Sequence, residues 1–313
     1  MVERQSMQLD GARRIHYLEL GDPSGVPAIY LHGTPSSALE AGWLHEPAVS
    51  HGVRLISVDR PGYQQSDPSA HFGIEETASD VTALVRHLGL DRVGVIGFSG
   101  GAGSALAVAA GTPAVVSVVQ IGGGMGPLIP GAKGVLPLGR RLMYRLVERS
   151  PATAKQLLGL MMRRMSKTLR SKLKIPTLAA LELFEGSAAG AQLEAVETYV
   201  RATAPDVLRS LVSEYADAPD ALEAVIGDLS TISRPWPFDL NLLNVPVELW
   251  HGTSDGAVPY WYAVALSEAL PHARLHALQD EGHFVFLTHG DEVCASIRAA
   301  AEDSARGLGI ELR

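Results

Sequence analysis

Three stretches of this chain hold, in order, the residue types that together make a hydroxyl nucleophilic. Gly97-Phe98-Ser99-Gly100-Gly101 sets a serine among glycines, Leu249-Trp250-His251-Gly252-Thr253-Ser254-Asp255 ends on an aspartate, and Asp280-Glu281-Gly282-His283-Phe284 carries a histidine. A serine hydroxyl is a weak nucleophile until a base removes its proton, and the base needs a carboxylate to fix its tautomer and stabilise the imidazolium. Ser99 as nucleophile, Asp255 as orienting acid and His283 as base fill these roles in the chain order Ser, acid, His. Asp280 and Glu281 are rival acids, but each lies too near His283 in sequence to reach easily around its ring, so Asp255 ranks first. The tetrahedral intermediate of acyl transfer also needs N–H donors for its oxyanion, each worth about 3 kcal/mol. The backbone N–H of Gly100 is one candidate and that of Thr34, in His32-Gly33-Thr34-Pro35, is the other.

Such a set works only if a scaffold brings its loops together. The run Val93-Gly94-Val95-Ile96 leads directly into the serine motif, and Ala102-Gly103-Ser104-Ala105-Leu106-Ala107 follows it. This is the strand, sharp turn and helix that a G-x-S-x-G elbow requires. The turn is so tight that the serine backbone is strained, and side chains at the flanking glycines would collide with it.

The first 126 residues alternate β-rich runs with helical patterns, the mark of a parallel sheet joined by crossover helices. Strands are expected at Ile15 to Leu20, Ala28 to His32, Arg54 to Asp59, Arg92 to Phe98 and Val115 to Ile121. Helices are expected near Ser37 to Ser50, Ile74 to Leu88 and Gly100 to Ala110. From about Gly126 to Leu240 the rhythm gives way to helical periodicity punctuated by proline, which reads as an inserted helical cap. It returns with a strand at Val247 to Trp250, a helix near Trp261 to Ala269, a strand near Arg274 to Leu278 and a final helix from about Val285 to Ala305. The expected organisation is a core of residues 1–126 and 241–313, with a cap at 127–240. Thr34, Ser99, Asp255 and His283 each then fall in a loop after a strand.

Charge within the cap is segregated. Twelve Lys and Arg lie between Lys133 and Lys174 against the lone Glu148, whereas acids dominate from Glu182 to Asp228. Basic and acidic helices facing each other or solvent is the simplest reading. A basic entrance for acidic substrates, or a membrane-surface helix using Leu157, Leu158, Met161 and Met162, is the alternative.

Composition narrows the class further. With 313 residues, 46% hydrophobic and 19% charged, the chain can bury a large core. A formal charge of -8 argues against a nucleic-acid partner, because phosphate binding draws on surplus Lys and Arg. The single cysteine, Cys294, excludes an internal disulfide and a thiolate metal cluster, and is expected in the core of the final helix. The first residues, Met-Val-Glu-Arg-Gln-Ser, lack the apolar run of a secretory signal, and no run of about 18 uncharged apolar residues occurs. A cytoplasmic protein without stable membrane insertion is expected, with its oligomeric state unspecified. No phosphate loop, dinucleotide fingerprint or H-E-x-x-H motif occurs, so neither cofactor nor metal is expected.

Taken together, His32-Gly33-Thr34-Pro35, the Ser99 elbow and Asp59-Arg60-Pro61-Gly62-Tyr63-Gln64-Gln65-Ser66-Asp67 make this sequence resemble the α/β-hydrolase superfamily. The likeness is to its capped serine hydrolases with an HG-x-P oxyanion loop, the esterase and proline iminopeptidase-like group. It covers residues 15 to 126 and 241 to 306, while the cap is matched only by position. The Asp59 to Asp67 segment resembles D-x-x-G-x-G-x-S, with Gln64-Gln65 where the family often has glycine. The resemblance implies an α/β fold with a mostly parallel central sheet, helices on both faces and an inserted helical cap. It also implies hydrolysis of a small-molecule ester through an acyl-enzyme on Ser99. C–C bond hydrolysis, proline iminopeptidase-like action and cofactor-free perhydrolysis use the same triad in this family, and some members are non-enzymatic ligand receptors. Related dehalogenases and epoxide hydrolases carry aspartate at the elbow, so Ser99 argues against both.

Overall fold

Strand β5 (Val93–Phe98) is buried along its whole length, as an apolar strand covered on both faces must be. The computed structural model to which it belongs describes residues 3–9, 11–69, 73–123, 138–172, 221–231, 235–307 and 309. Around β5 lie β1 (Gln5–Gln8), β2 (Arg14–Gly21), β3 (Val26–Leu31), β4 (Val53–Asp59), β6 (Val115–Ile121), β7 (Val247–Gly252) and β8 (Ala273–Leu278). They form one eight-stranded sheet in the order β1-β2-β4-β3-β5-β6-β7-β8. The β1/β2 and β2/β4 pairs are antiparallel and all others parallel.

Helices on both faces bury alternate strand residues. Tyr30 and Ile96 join one core with Trp250, Val293 and Ile297. Their neighbours Ile29 and Val95 join the other, with Leu84, Leu106 and Leu266. The helices are α1 (His45–Ser50), α2 (Ile74–His87), α3 (Ala102–Gly111), α4 (Leu138–Arg149), α5 (Pro151–Lys172), α6 (Leu222–Thr231), α7 (Trp261–Ala269) and α8 (Phe286–Gly307). Cys294 lies in the first core, where burial pushes its thiol up to about 12.

Strand β3 pairs with β4 on one side and β5 on the other. Its outgoing connection therefore runs to one side of the sheet, while that of β5 runs toward β6 on the other. Two adjacent parallel strands whose connections diverge leave a crevice at their carboxyl ends, where ligands bind in open α/β sheets. The loops carrying Thr34 and Ser99 both start there.

Departures from the sequence reading have local causes. Strand β1 reads as polar, Gln-Ser-Met-Gln, and buries only Met7; pairing with β2 makes it a strand. The helix expected over 37–50 is a three-ten segment, Ala38–Leu44, followed by α1. Pro47 has no N–H to donate to the Trp43 carbonyl, so one continuous α-helix could not keep its hydrogen bonds across that point. The final helix is kinked at His289.

Between β6 and β7 the described residues form α4, α5 and α6, without a strand. Lys155 of α5 pairs with Glu223 of α6, a basic-to-acidic contact of the expected kind but too exposed to contribute much. The rest of the acidic stretch from residue 182 to 220 lies outside the described residues. Leu157 and Met161 are exposed while Met162 is buried. No described helix is long and apolar enough to cross a membrane.

Candidate functional site

At the end of β5 the chain turns through Ser99, whose φ is 49°. That is the left-handed region, which costs a non-glycine residue about 1–2 kcal/mol. The flanking glycines have steric causes. A Cβ on Gly97 would stand 2.7 Å from the Ala105 Cβ and 2.8 Å from the Ala102 Cα, because α3 packs directly on β5 there. One on Gly101 would stand 2.3 Å from the Leu31 carbonyl oxygen. The elbow thus lies against the end of β3 with only backbone between them.

That closeness brings the Thr34 loop to the serine. A Cβ on Gly100 would meet Thr34 Oγ1 at 2.1 Å and Thr34 N at 3.2 Å, and one on Gly33 would stand 3.4 Å from the Ser99 Cβ. Gly100 and Thr34, the two expected N–H donors, are therefore in contact beside Ser99.

Asp255 follows β7 in a tight loop. Its Oδ1 accepts the N–H groups of Ala257 and Val258, each at 2.7 Å. Its Oδ2 lies 2.7 Å from His283 Nδ1. A carboxylate can only accept there, so Nδ1 carries the proton and Nε2 keeps a free lone pair. A third contact was absent from the sequence reading: His251 Nε2 lies 3.2 Å from the same Oδ2 and 2.9 Å from the Val258 carbonyl. Burial on its own raises the Asp255 pKa, but hydrogen bonds from His251 and His283 reverse this and hold it below the usual carboxylate range.

His283 sits over Gly122, where a Cβ would stand 2.9 Å from Nδ1. Its ring packs 4.9 Å from that of Phe98, the residue before the elbow serine. Among the described residues no hydrogen bond joins Ser99 to His283; catalytic contacts of this kind are often long before substrate binds. The rival acids point elsewhere. Asp280 accepts from Gln279, and Glu281 lies 3.9 Å from His289.

A second polar cluster surrounds Thr34. Arg60 is 1% exposed, and its Nη1 donates to Asp228 Oδ1 of α6 at 2.8 Å. Its Nη2 donates to the Gly33 carbonyl and to Thr34 Oγ1, each at 2.9 Å. Asp228 Oδ2 accepts from the Tyr63 and Thr34 hydroxyls, both at 2.5 Å. Burial works against the Arg60 charge, but Asp228 and its neighbours more than compensate and raise its pKa. Burial and the Asp228 charge drive the Tyr63 pKa well up, so its phenol stays a donor. His32, pushed well down by burial and then by Arg60, is neutral; its Nε2 accepts the Arg60 N–H while Nδ1 faces the Gly33 carbonyl. Glu40, also buried, accepts the Gly33 N–H at 2.8 Å. Gln64 has φ 49°, keeping the left-handed turn where the resembled family often has glycine.

Arg60 and Tyr63 stood in a quoted sequence segment without a role, and Asp228 stood only within the acidic stretch. Paired signs across some 168 residues give no local signal. Ser99, Thr34, Gly100, Tyr144, Asp228 and Trp236 are among the residues that enclose a cavity of about 230 Å³.

Comparison with known proteins widens the frame. A family model described as alpha/beta hydrolase fold matches residues 26–290. A 2-hydroxy-6-oxononadienedioate/2-hydroxy-6-oxononatrienedioate hydrolase of Pseudomonas putida is 25% identical over 292 residues, covering 89% of this chain and 88% of that protein. A proline iminopeptidase of Xanthomonas citri is 32% identical over 113 residues, 34% of this chain and 35% of that one. Among solved structures, a bromoperoxidase from Bacillus anthracis superposes with a TM-score of 0.68 at 20% identity, covering 96% of this chain and all of that one.

Proposed function

The chain belongs to the alpha/beta hydrolase family and is a hydrolase, and from that premise we propose that it cleaves a small ester through an acyl-enzyme on Ser99. The supporting observation is the conjunction of Ser99 in its left-handed turn and the Thr34–Gly100 contact at one cavity with the Asp255–His283 pair, whose imidazole packs on Phe98, the residue before the serine. In this reading the Ser99 hydroxyl attacks the substrate carbonyl as His283 Nε2 takes its proton. The developing oxyanion is held by the N–H groups of Thr34 and Gly100. Asp255 keeps the proton on Nδ1 and stabilises the imidazolium that forms. His283 returns the proton to the leaving alkoxide, then activates a water that attacks the acyl-enzyme and releases the acid and free Ser99.

The cavity is smaller than the roughly 300–1,000 Å³ typical of drug-sized ligands, which favours a short acyl group seated against Ile74, Leu229, Trp236 and Val258. Of the cap expected over 127–240, the described helices α4 and α6 supply Tyr144 and Asp228 to the cavity wall.

Labelling by a fluorophosphonate tests the nucleophile. Folded wild type is expected to label and Ser99→Ala to stay unlabelled; an unlabelled folded wild type would overturn the serine mechanism. A p-nitrophenyl ester series should then peak at short acyl chains. The Pseudomonas putida relative favours a second reading, C–C bond hydrolysis on the same residues. Turnover of 2-hydroxy-6-oxononadienedioate at a kcat/KM above that of every ester in the series would decide for it.

A further inference from the structure

Asp228 belongs to α6, far in sequence from every residue given a catalytic role, yet it touches the loop that carries the oxyanion donor. We propose that Asp228 is a positioning residue: through Arg60 and the Thr34 hydroxyl it fixes the direction of the Thr34 N–H, so that the oxyanion hole is complete only when α6 is docked. This rests on the reading of Thr34 N–H as an oxyanion donor.

The orientation follows from peptide geometry. The peptide between Gly33 and Thr34 is planar, so its C=O and N–H point in opposite directions, and holding one aims the other. The Gly33 carbonyl accepts Arg60 Nη2 at 2.9 Å and faces His32 Nδ1 at 2.8 Å. Rotating this peptide would break both contacts and redirect the Thr34 N–H.

Arg60 can hold that carbonyl only if its guanidinium stays in place. The group is buried, and a buried cation needs an opposing charge. Asp228 supplies it at 2.8 Å through Oδ1. The other oxygen, Oδ2, takes the Thr34 hydroxyl at 2.5 Å and so holds the Thr34 side chain against Gly100. Tyr63 donates to Oδ2 at 2.5 Å and keeps the carboxylate turned toward this loop. The Asp228 side chain is only 17% exposed and hydrogen-bonds Thr34, Arg60 and Tyr63 of the loops after β3 and β4, which makes it a polar fastening of α6 to the elbow side of the site.

Asp228→Asn keeps the shape but removes the charge that holds Arg60. Because displacement of a reacting or stabilising group by about 1 Å can cost about 100-fold, kcat for p-nitrophenyl acetate is expected to fall by about 10- to 100-fold. KM should stay within about twofold, since the substitution is isosteric and the apolar wall of Ile74, Leu229, Trp236 and Val258 against which the acyl group sits is unchanged. The inhibition constant of phenylboronic acid, whose adduct with Ser99 places an oxyanion in the hole, should rise in the same proportion as kcat falls. Asp228→Glu should recover part of both.

A rise in KM with kcat retained, or wild-type kcat and boronate affinity in folded Asp228→Asn, would overturn the proposal. If Asp228→Asn does not fold, Thr34→Val cuts the same link from the other end with an isosteric side chain. Parallel losses in kcat and boronate affinity, smaller in Thr34→Ser, then support the coupling, and undiminished boronate affinity sinks it. Fluorophosphonate labelling separates the two layers: no labelling of folded wild type defeats the serine-nucleophile reading, whereas labelling of wild type and Asp228→Asn at equal rates defeats the coupling alone.

Discussion

Asp255 and Asp228 are both carboxylates at the same site, and they are held by different kinds of neighbour. Asp255 faces two backbone N–H groups and two imidazoles, and an imidazole is a partner whose charge can change during turnover. Asp228 faces the permanent cation of Arg60 and two hydroxyls that do not titrate near neutrality. The first arrangement suits a charge that appears opposite it during turnover and then leaves. The second suits a charge that is fixed, and its product is position. A carboxylate's place in chemistry is thus set by whether its partner can change charge.

The sharpest way to break that contrast is to neutralise each carboxylate in turn. Asp255→Asn lets an amide face His283 Nδ1 and removes the negative charge that stabilises imidazolium, so kcat is expected to fall by about 10⁴-fold. Asp228→Asn should fall by about 10- to 100-fold, a positioning loss. Equal losses in p-nitrophenyl ester turnover, or the reverse order, would remove the distinction between the two.

A disturbance of intermediate size reaches the Thr34 loop without touching either acid. The Cβ of Gly100→Ala would stand 2.1 Å from Thr34 Oγ1, so the loop must move. Losing the alignment of one oxyanion donor costs about 10²- to 10³-fold in kcat. Because Gly100→Ala and Asp228→Asn both act through Thr34, the double variant should lose less than the product of the two single losses, whereas Gly100→Ala with a substitution far from the site should multiply. Full multiplication in the Asp228 pair would separate Asp228 from Thr34.

These two acids also divide what a sequence can tell. Ser99, Asp255 and His283 could be singled out because each stands in a loop after a strand in the chain order Ser, acid, His that this topology uses, and Thr34 because it follows an earlier strand. The glycines of the elbow were legible because crowding at a strand-to-helix turn leaves no other residue type. Asp228 was not legible: its partners Thr34, Tyr63 and Arg60 are 194, 165 and 168 residues away, and nothing local distinguishes it from other acids on helical surfaces. The antiparallel edge strand β1 was missed for a related reason, since its polar residues become a strand only through β2. His251 lies between these cases. It stands four residues before Asp255, but only the folded loop shows that its ring turns back onto the acid.

His251 gives the smallest and most selective prediction. Its Nε2 hydrogen bond helps hold Asp255 below its ordinary value near 3.8. A carboxylate whose folded pKa is depressed adds stability above its unfolded pKa and loses it as pH falls through the folded one. His251→Phe weakens the depression and leaves the Val258 carbonyl without this donor, so stability at pH 7 should drop by about 1.5–3 kcal/mol, the usual worth of a hydrogen bond to a charged group. The gap between the two proteins in thermal melts should narrow as pH falls from about 3.8 toward the lower folded pKa of Asp255, where its protonation removes the carboxylate's share from wild type as well. Activity at pH 7 should fall only about threefold, because the 2.7 Å contact from Asp255 to His283 remains and the acid stays ionised. His251→Gln, which restores an N–H donor, should recover part of the stability. A loss of kcat in His251→Phe as large as that of Asp255→Asn would instead make His251 an equal partner of the acid, and the imidazole that matters to Asp255 would no longer be His283 alone.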